Sequence, residues 1–239
     1  MYRSYRAGIG FGSGVMPRGV KQLILITGGV YLVQLLVPAV TVLFGLYPPA
    51  VLSLQVWRLF TYMFLHGGLL HLLLNMFVLY MFGSQLEQVW GRRRFVRYYL
   101  LCGVGAGLFA LLPLPAFFDA LHIGASGAVY GLLLAFGLLF PSAQVYLLGI
   151  FPMSARHMVI LFGFISLAGS LSATSDGVSH IAHLGGLVVG YVLLRRDGLL
   201  PRYRSRLGVL WNDLLRRRRR ARFERYYEEH TRKRSETLH

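Results

Sequence analysis

Six apolar stretches, each close in length to a membrane-spanning helix, constrain the fold of this chain more than any other feature of its sequence. A helix needs about 20 mostly apolar residues to cross the hydrocarbon core of a bilayer. Hydrophobic residues make up 55% of the chain, and they cluster in these stretches, whereas soluble domains alternate apolar and polar residues. We therefore predict an all-α membrane protein with six transmembrane helices. The stretches are residues 22–46, 69–86, 95–112, 126–140, 157–173 and 179–194.

The basic residues lie almost entirely on one side of the predicted spans. Of the 25 Lys and Arg residues, 15 follow residue 194, and only Arg58 falls in a connection on the opposite side. Lys and Arg are in excess in the cytoplasmic loops of membrane proteins. Because an even number of spans returns the chain to its starting side, we expect both termini in the cytoplasm.

These boundaries divide the chain into three parts. Residues 1–21 are predicted to be a cytoplasmic lead, 22–194 the membrane domain and 195–239 a cytoplasmic tail. The first apolar run is long and lacks a clear small-residue cleavage site, so we expect a retained helix rather than a signal peptide. Since no organelle-targeting segment is visible, the expected location is a bacterial inner membrane.

The tail carries 15 basic and 6 acidic side chains. Such a cluster directly after a span suits anionic lipid headgroups, although it would serve equally as an orientation anchor. Nucleic acid is not an expected partner, because no nucleic-acid-binding fold or aromatic platform accompanies the charge.

The connection at 47–65 is too apolar for a solvated loop and too interrupted for a span. We expect it to lie in the membrane interface between helices 1 and 2, with Trp57 and Tyr62 at headgroup depth. The pair Trp57-Arg58 fits either a specific role or an interfacial aromatic beside an arginine.

Polar side chains in three separate apolar segments suggest one shared site. Ser126 and Tyr130 are four residues apart in one segment, His71 and Asn75 are four apart in another, and His183 lies in a third. Polar groups are costly inside a bilayer and usually face the bundle interior. We therefore expect these side chains to converge.

The serine lies in the sequence Gly124-Ala125-Ser126-Gly127, at the predicted outer end of a helix. Its small neighbours leave room for a substrate backbone, and the free amides of a first helical turn can help to bind an anion. Taken alone, the motif would fit a simple helix–helix contact better.

A serine hydroxyl needs an adjacent base, and His183 is the expected one. An imidazole, with an ordinary pKa of about 6.5, can accept the serine proton near neutral pH. Gly186 and Gly190 form a G-x-x-x-G pair that lets their helix press against another. If that neighbour carries Ser126, His183 lies beside the serine.

The remaining polar residues limit the kind of catalytic site that the sequence can form. His71 and Asn75 share one helix face and could donate to an oxyanion, the alternative being an interhelical hydrogen bond to a backbone carbonyl. No carboxylate lies mid-span near a histidine, so a Ser-His dyad is expected instead of a triad. His180 and His183 lack two further metal ligands, so neither metal nor cofactor is expected. Cys102 is expected to pack in the core.

Together these motifs resemble those of the rhomboid intramembrane serine proteases. The Trp-Arg pair, H-x-x-x-x-H-x-x-x-N, G-x-S-G and A-H-L-G-G-x-x-x-G occur in this order over about residues 50–194, and the first span fits the six-helix prokaryotic form. The resemblance implies a serine endopeptidase that cleaves transmembrane segments of other membrane proteins. It implies Ser126 as the nucleophile and His183 as the general base, which the Ala-His-Leu-Gly-Gly match favours over His180.

The resemblance also implies supporting roles. His71, Asn75 and the amide of Ser126 would stabilise the oxyanion, Tyr130 would stack against the base, and Trp57-Arg58 would belong to a loop inserted in the outer leaflet. The alternative within the same fold is a catalytically silent protein that binds membrane clients. Loss of the serine or the base would mark such a protein, and both are present. A transporter would show internal repeats, and none is visible.

Overall fold

A computed structural model describes residues 16–112, 118–147, 151–171 and 180–199 of the chain. Its regular elements are helices, apart from one short β-hairpin. A π-helical turn (Leu79–Gly83) joins α5 to α6 without a break. The helices are α1 (Arg18–Leu36), α2 (Ala39–Phe44), α3 (Pro48–Leu52), α4 (Arg58–Thr61), α5 (Leu69–Val78), α6 (Ser84–Trp90), α7 (Arg92–Phe109), α8 (Ser126–Leu139), α9 (Ala155–Leu171) and α10 (His180–Arg196).

The first apolar run is two helices and not the single span predicted over 22–46. α1 ends at Leu36, and α2 begins at Ala39 after Pro38. Proline has no backbone N–H to continue the helical bonding and its ring clashes with the preceding turn, so the helix breaks there.

The connection at 47–65 is folded into short helices pinned to α2. Arg58 is buried, and its guanidinium donates to the carbonyls of Val42 at 2.7 Å and Gly45 at 2.6 Å. These bonds satisfy carbonyls at the end of α2, where no intrahelical partner exists. Trp57 is 48% exposed. Arg58 is thus a structural anchor of this connection.

The position of Tyr62 differs from the prediction, which placed this side chain at headgroup depth in the membrane interface. Its side chain is 2% exposed, and its hydroxyl donates to the carbonyl of Gly103 on α7 at 2.7 Å. Burial raises the pKa of this phenol above its ordinary value. Tyr62 therefore fixes the connection against the helix bundle.

Helices α7, α8 and α10 form the closely packed centre of the described bundle. Glycines allow this approach: a Cβ on Gly186 would overlap the carbonyl oxygen of Gly127, and one on Gly190 would contact Gly131. Cys102, fully buried on α7, also packs against Gly131. The backbones of α8 and α10 are therefore nearly in contact, which small residues permit.

The carboxylate of Glu87 links α6 to the start of α1. Glu87 on α6 accepts hydrogen bonds from the backbone N–H groups of Gly19 and Val20, both at 2.8 Å. These amides belong to the first turn of α1, where N–H groups lack intrahelical partners and favour negative charge. Glu87 is an anchor for the start of α1.

The segment between α8 and α9 contains the β-hairpin. Strand β1 (Gln144–Leu147) pairs antiparallel with β2 (Phe151–Ser154). Val145 is buried against the core, and its partner Met153 packs there as well, while Tyr146 and Phe151 are exposed.

The outer surface of the helices is strongly apolar. Leu25, Leu32, Leu70 and Phe164 are each more than 60% exposed, which suits a surface in contact with lipid. Within the described residues, two helical stretches, Arg18–Leu36 and Leu69–Trp90, are long and apolar enough to cross a membrane, and shorter apolar helices span Ser126–Leu139 and Ala155–Ser170. The count of six spans stays a prediction.

Candidate active site

A serine and a histidine from neighbouring helices meet in a direct hydrogen bond. Ser126 is the first residue of α8, and its Oγ lies 2.7 Å from Nε2 of His183 on α10. His183 is buried, and Ser126 is partly accessible. The contact follows from the packing of Gly186 on Gly127, because each glycine lies within one turn of the residue concerned.

An aromatic ring lies flat against the imidazole of this pair. The rings of Tyr130 and His183 stack with centroids 4.2 Å apart and planes 8° from parallel. Phe162 on α9 packs edge-on against Tyr130, with ring centroids 6.1 Å apart. The stack restricts the imidazole plane of the buried His183, because rotation of the ring would lose this face-to-face contact with Tyr130.

The other histidine of α10, His180, packs against His183 and supports it. The rings of His180 and His183 pack edge to face with centroids 5.9 Å apart. The imidazole of His180 also packs against Gly169 on α9, at a position that a Cβ would occupy. The hydrogen bond to Ser126 belongs to His183.

The backbone before the serine is held in an unusual conformation. Gly124 has φ = +124°, a region that glycine adopts far more readily than other residues. Its N–H donates to the carbonyl of Tyr62 at 2.9 Å, and a paired bridge between Leu46 and His122 fixes the preceding residues. The connection at 47–65 therefore positions the entry to α8.

His71 lies against this glycine. A Cβ on Gly124 would be 2.9 Å from both Cε1 and Nε2 of the imidazole. The Nδ1 atom on the opposite side of the ring accepts a hydrogen bond from the N–H of Gly67 at 3.4 Å. The Nε2 edge of His71 thus faces the chain two residues before Ser126.

Asn75 is buried one turn further along α5. Its Nδ2 donates to the backbone carbonyl of His71 at 2.9 Å, so the bond stays within one helix. Because an amide nitrogen has two hydrogens, one donor remains for another acceptor. In the described structure neither His71 nor Asn75 has a hydrogen bond to Ser126.

Two residues near the site have no catalytic role in the sequence motifs: Gln34 lies outside them, and His66, the first histidine of H-x-x-x-x-H-x-x-x-N, is predicted to cap or anchor a loop. Gln34 on α1 bonds the backbone of His66, with its Oε1 accepting from the N–H at 2.9 Å. The ring of His66 packs edge-on against that of His71 at 4.9 Å. Burial, and secondarily the nearby His71, lower the pKa of His66 to about 4. The sequence feature that could have identified Gln34 is a side-chain amide inside an apolar stretch.

No group of three or more His, Cys, Asp or Glu side chains in the described residues could hold a metal ion. The arrangement is that of a helical bundle enclosing a hydrogen-bonded serine–histidine pair, with the Nε2 edge of His71 facing Gly124, two residues before the serine. This defines the class: a helical membrane protein with a partly buried serine–histidine site.

Comparison with known proteins gives the family. A model of the Rhomboid domain matches residues 53–196, which is more than half of the chain. The chain belongs to the rhomboid family and is therefore an integral membrane protein. This confirms the resemblance stated from the motifs, and the mostly helical structure fits an all-α membrane fold.

Three relatives illustrate the match. The chain is 35% identical over 138 residues to RHOMBOID-like protein 6, mitochondrial, of Arabidopsis thaliana, covering 57% of this chain and 42% of that protein. It is 32% identical over 141 residues to "Putative rhomboid protease YdcA" of Bacillus subtilis, covering 57% and 65%. It is 36% identical over 146 residues to Rhomboid-like protein 11, chloroplastic, of Arabidopsis thaliana, covering 58% and 51%. The matched region therefore spans less than two thirds of each relative.

Proposed function

We propose that this protein is an intramembrane serine endopeptidase that cleaves transmembrane segments of other membrane proteins. The observation that carries the proposal is the 2.7 Å contact between Ser126 Oγ and His183 Nε2. A partly buried, hydrogen-bonded pair of this kind is the minimal arrangement that turns a weak hydroxyl into a nucleophile. The protease named among the relatives supports the same activity.

The reaction follows from these two side chains. His183 Nε2 takes the hydroxyl proton of Ser126 as Oγ bonds to the peptide carbonyl carbon. The protonated imidazole then gives the proton to the leaving amine, the C–N bond breaks, and an acyl ester remains on the serine. A water molecule, deprotonated by His183, hydrolyses the ester and restores the hydroxyl. Tyr130 keeps the imidazole plane in line for both transfers.

Three donors are proposed to stabilise the negative oxygen of the intermediate. The amide of Ser126 lies in the first turn of α8, where N–H groups have no intrahelical partner. The Nε2 edge of His71 faces Gly124, and the second amide hydrogen of Asn75 remains available. Donors held in place before the reaction need no reorganisation when charge develops.

The proposed architecture has six spans within 22–194, with both termini in the cytoplasm of a bacterial cell and the connection at 47–65 in the outer interface. The exposed Trp57 supports the interfacial location. Residues 1–15 of the lead and the tail after residue 199 lie outside the described residues, and the last part of the predicted lead, from Arg18 on, belongs to α1. We propose anionic lipids as partners of that tail, which the charge pattern supports.

The test is cleavage of a single-span model substrate by protein reconstituted in liposomes. We expect Ser126→Ala and His183→Ala to lower the rate by at least about a thousandfold, because each removes a member of a unit that works together. Ser53→Ala and His157→Ala are matched controls, since both side chains are exposed and neither contacts the pair. Cleavage by Ser126→Ala at the wild-type rate would refute the proposal.

A further inference from the structure

Gln34 is a buried amide on α1, upstream of the residues matched by the Rhomboid domain model. Its side chain is 7% exposed and bonds both backbone groups of His66. Oε1 accepts from the N–H of His66 at 2.9 Å, and Nε2 donates to the carbonyl of His66 at 3.4 Å and to Oγ1 of Thr41 at 2.9 Å. One side chain thus ties α1 and α2 to the residues that precede α5.

The residue held by Gln34 begins a short path to His71. The next residue, Gly67, donates its N–H to Nδ1 of His71, and the ring of His66 itself packs edge-on against the His71 ring with centroids 4.9 Å apart. Through these two contacts, the position of the His71 imidazole depends on the position of residues 66 and 67. Neither contact involves α8 or α10.

The path also determines which nitrogen of His71 carries the hydrogen. A neutral imidazole has one donor and one acceptor nitrogen. The 3.4 Å contact from the Gly67 N–H to Nδ1 favours the tautomer with its hydrogen on Nε2, the atom that lies beside Gly124. The tautomer favoured by the loop is therefore the one that presents a donor toward Gly124, two residues before Ser126.

We propose that Gln34 is a positioning residue for catalysis, which fixes the orientation and tautomer of His71 through the backbone of His66 and Gly67. The proposal rests on the proposed function, in which His71 stabilises the oxyanion. It places a determinant of turnover on α1, outside the part of the chain that carries the family's sequence match. Without the amide, the buried N–H of His66 loses its acceptor, and such a group seeks another arrangement.

The first experiment compares Gln34→Met, His71→Ala and the double variant by steady-state cleavage in liposomes. Methionine keeps the length of the side chain and removes both bonding groups. Since removal of one oxyanion donor costs about a hundredfold or more in kcat, we expect a displaced donor in Gln34→Met to cost about tenfold, with KM changed less than about twofold. Thr27→Val is the matched control, because Thr27 is buried on the same helix and bonds only to Leu23.

The double variant separates positioning from general damage. If Gln34 acts through His71, adding Gln34→Met to His71→Ala lowers kcat by less than about twofold further, because coupled residues are not additive. A further tenfold loss in the double variant would overturn the proposal, as would wild-type kcat in Gln34→Met. If wild-type protein and Ser126→Ala cleave equally, the proposed function fails, and that outcome is recognisable without any Gln34 variant.

A second measurement does not depend on activity. In protein labelled with ¹⁵N-histidine, the His71 signal is assigned by its disappearance in His71→Ala. We expect wild type to show a hydrogen on Nε2 and an unprotonated Nδ1, and Gln34→Met to show a mixture of both tautomers. Identical His71 signals in wild type and in folded Gln34→Met would overturn the proposal.

Discussion

At the scale of single residues, the site depends on a glycine whose conformation and surroundings both exclude a side chain. Gly124 has φ = +124°, and the space beside its Cα is filled by the imidazole of His71. The positive φ and the neighbouring imidazole thus both exclude a side chain at this position. A larger residue would strain the backbone before Ser126 and displace the proposed oxyanion donor.

We predict that Gly124→Ala lowers kcat by about tenfold to a hundredfold, because it displaces His71 by the width of a methyl group. It should also lower the free energy of unfolding by about 1–3 kcal/mol through backbone strain. Cleavage rates and thermal melts in detergent measure the two effects. Gly28→Ala is the control, since a Cβ there meets nothing within 4 Å. Unchanged kcat in Gly124→Ala would contradict the arrangement.

Protonation of His66 should make the stability of the folded protein depend on pH, and the sign of this dependence can be worked out. Burial and the nearby His71 hold its pKa at about 4, while an unfolded histidine titrates near its ordinary value of about 6.5. The unfolded chain therefore binds a proton first as pH falls, and stability decreases from about pH 6.5 to about pH 4 by up to about 3 kcal/mol. Thermal melts should show this loss in wild type and a reduced one in His66→Gln. Equal slopes in both proteins would refute it.

At the scale of secondary-structure elements, the contact between α8 and α10 brings the serine and histidine together. A Cβ on Gly186 would overlap the backbone oxygen of Gly127, so this position allows no side chain without a shift of one helix. Backbone atoms cannot rotate away as a flexible side chain would. The geometry of the pair is thus a consequence of helix packing.

Gly186→Ala should therefore separate Ser126 from His183 and abolish cleavage, with a loss of stability of about 1–3 kcal/mol from overpacking. Activity and melting temperature are measured together. Gly163→Ala on α9 is the matched control, because the nearest atom to its added Cβ is 3.6 Å away in the side chain of Leu187. Full activity in Gly186→Ala would mean that the two helices are not held by this contact.

The same elements show which features the sequence could predict. The G-x-x-x-G pair at Gly186 and Gly190 indicated a close helix contact, since the signal for such packing is local spacing. The bonds from Gln34 to His66 join residues 32 positions apart, and no local pattern encodes that pairing. Pro152 stands opposite Tyr146 in the hairpin, and because a proline inside a run argues against a strand, the sequence does not predict this pairing. Pro38 lies inside the apolar stretch at 22–46, where length and apolar composition alone predict one span, although α1 ends before it.

At the scale of the whole molecule, the bundle surrounds polar chemistry with an apolar outer surface. The serine–histidine pair lies among α7, α8 and α10, while α1, α5 and α9 carry many of the exposed leucine and phenylalanine side chains. Glu87 and Gln34 attach α1 at its two ends, to α6 and to the residues before α5. The N-terminal helix is therefore integrated with the site even though the family match begins after it.

Labelling with a fluorophosphonate probe measures whether Ser126 is activated and whether that activation depends on His183. Detergent-purified wild type, Ser126→Ala and His183→Ala are compared at equal concentration after thermal melts establish that each is folded. We predict labelling of wild type, none of Ser126→Ala and a strong reduction in His183→Ala. Equal labelling of all three proteins, or no labelling of folded wild type, would contradict the account.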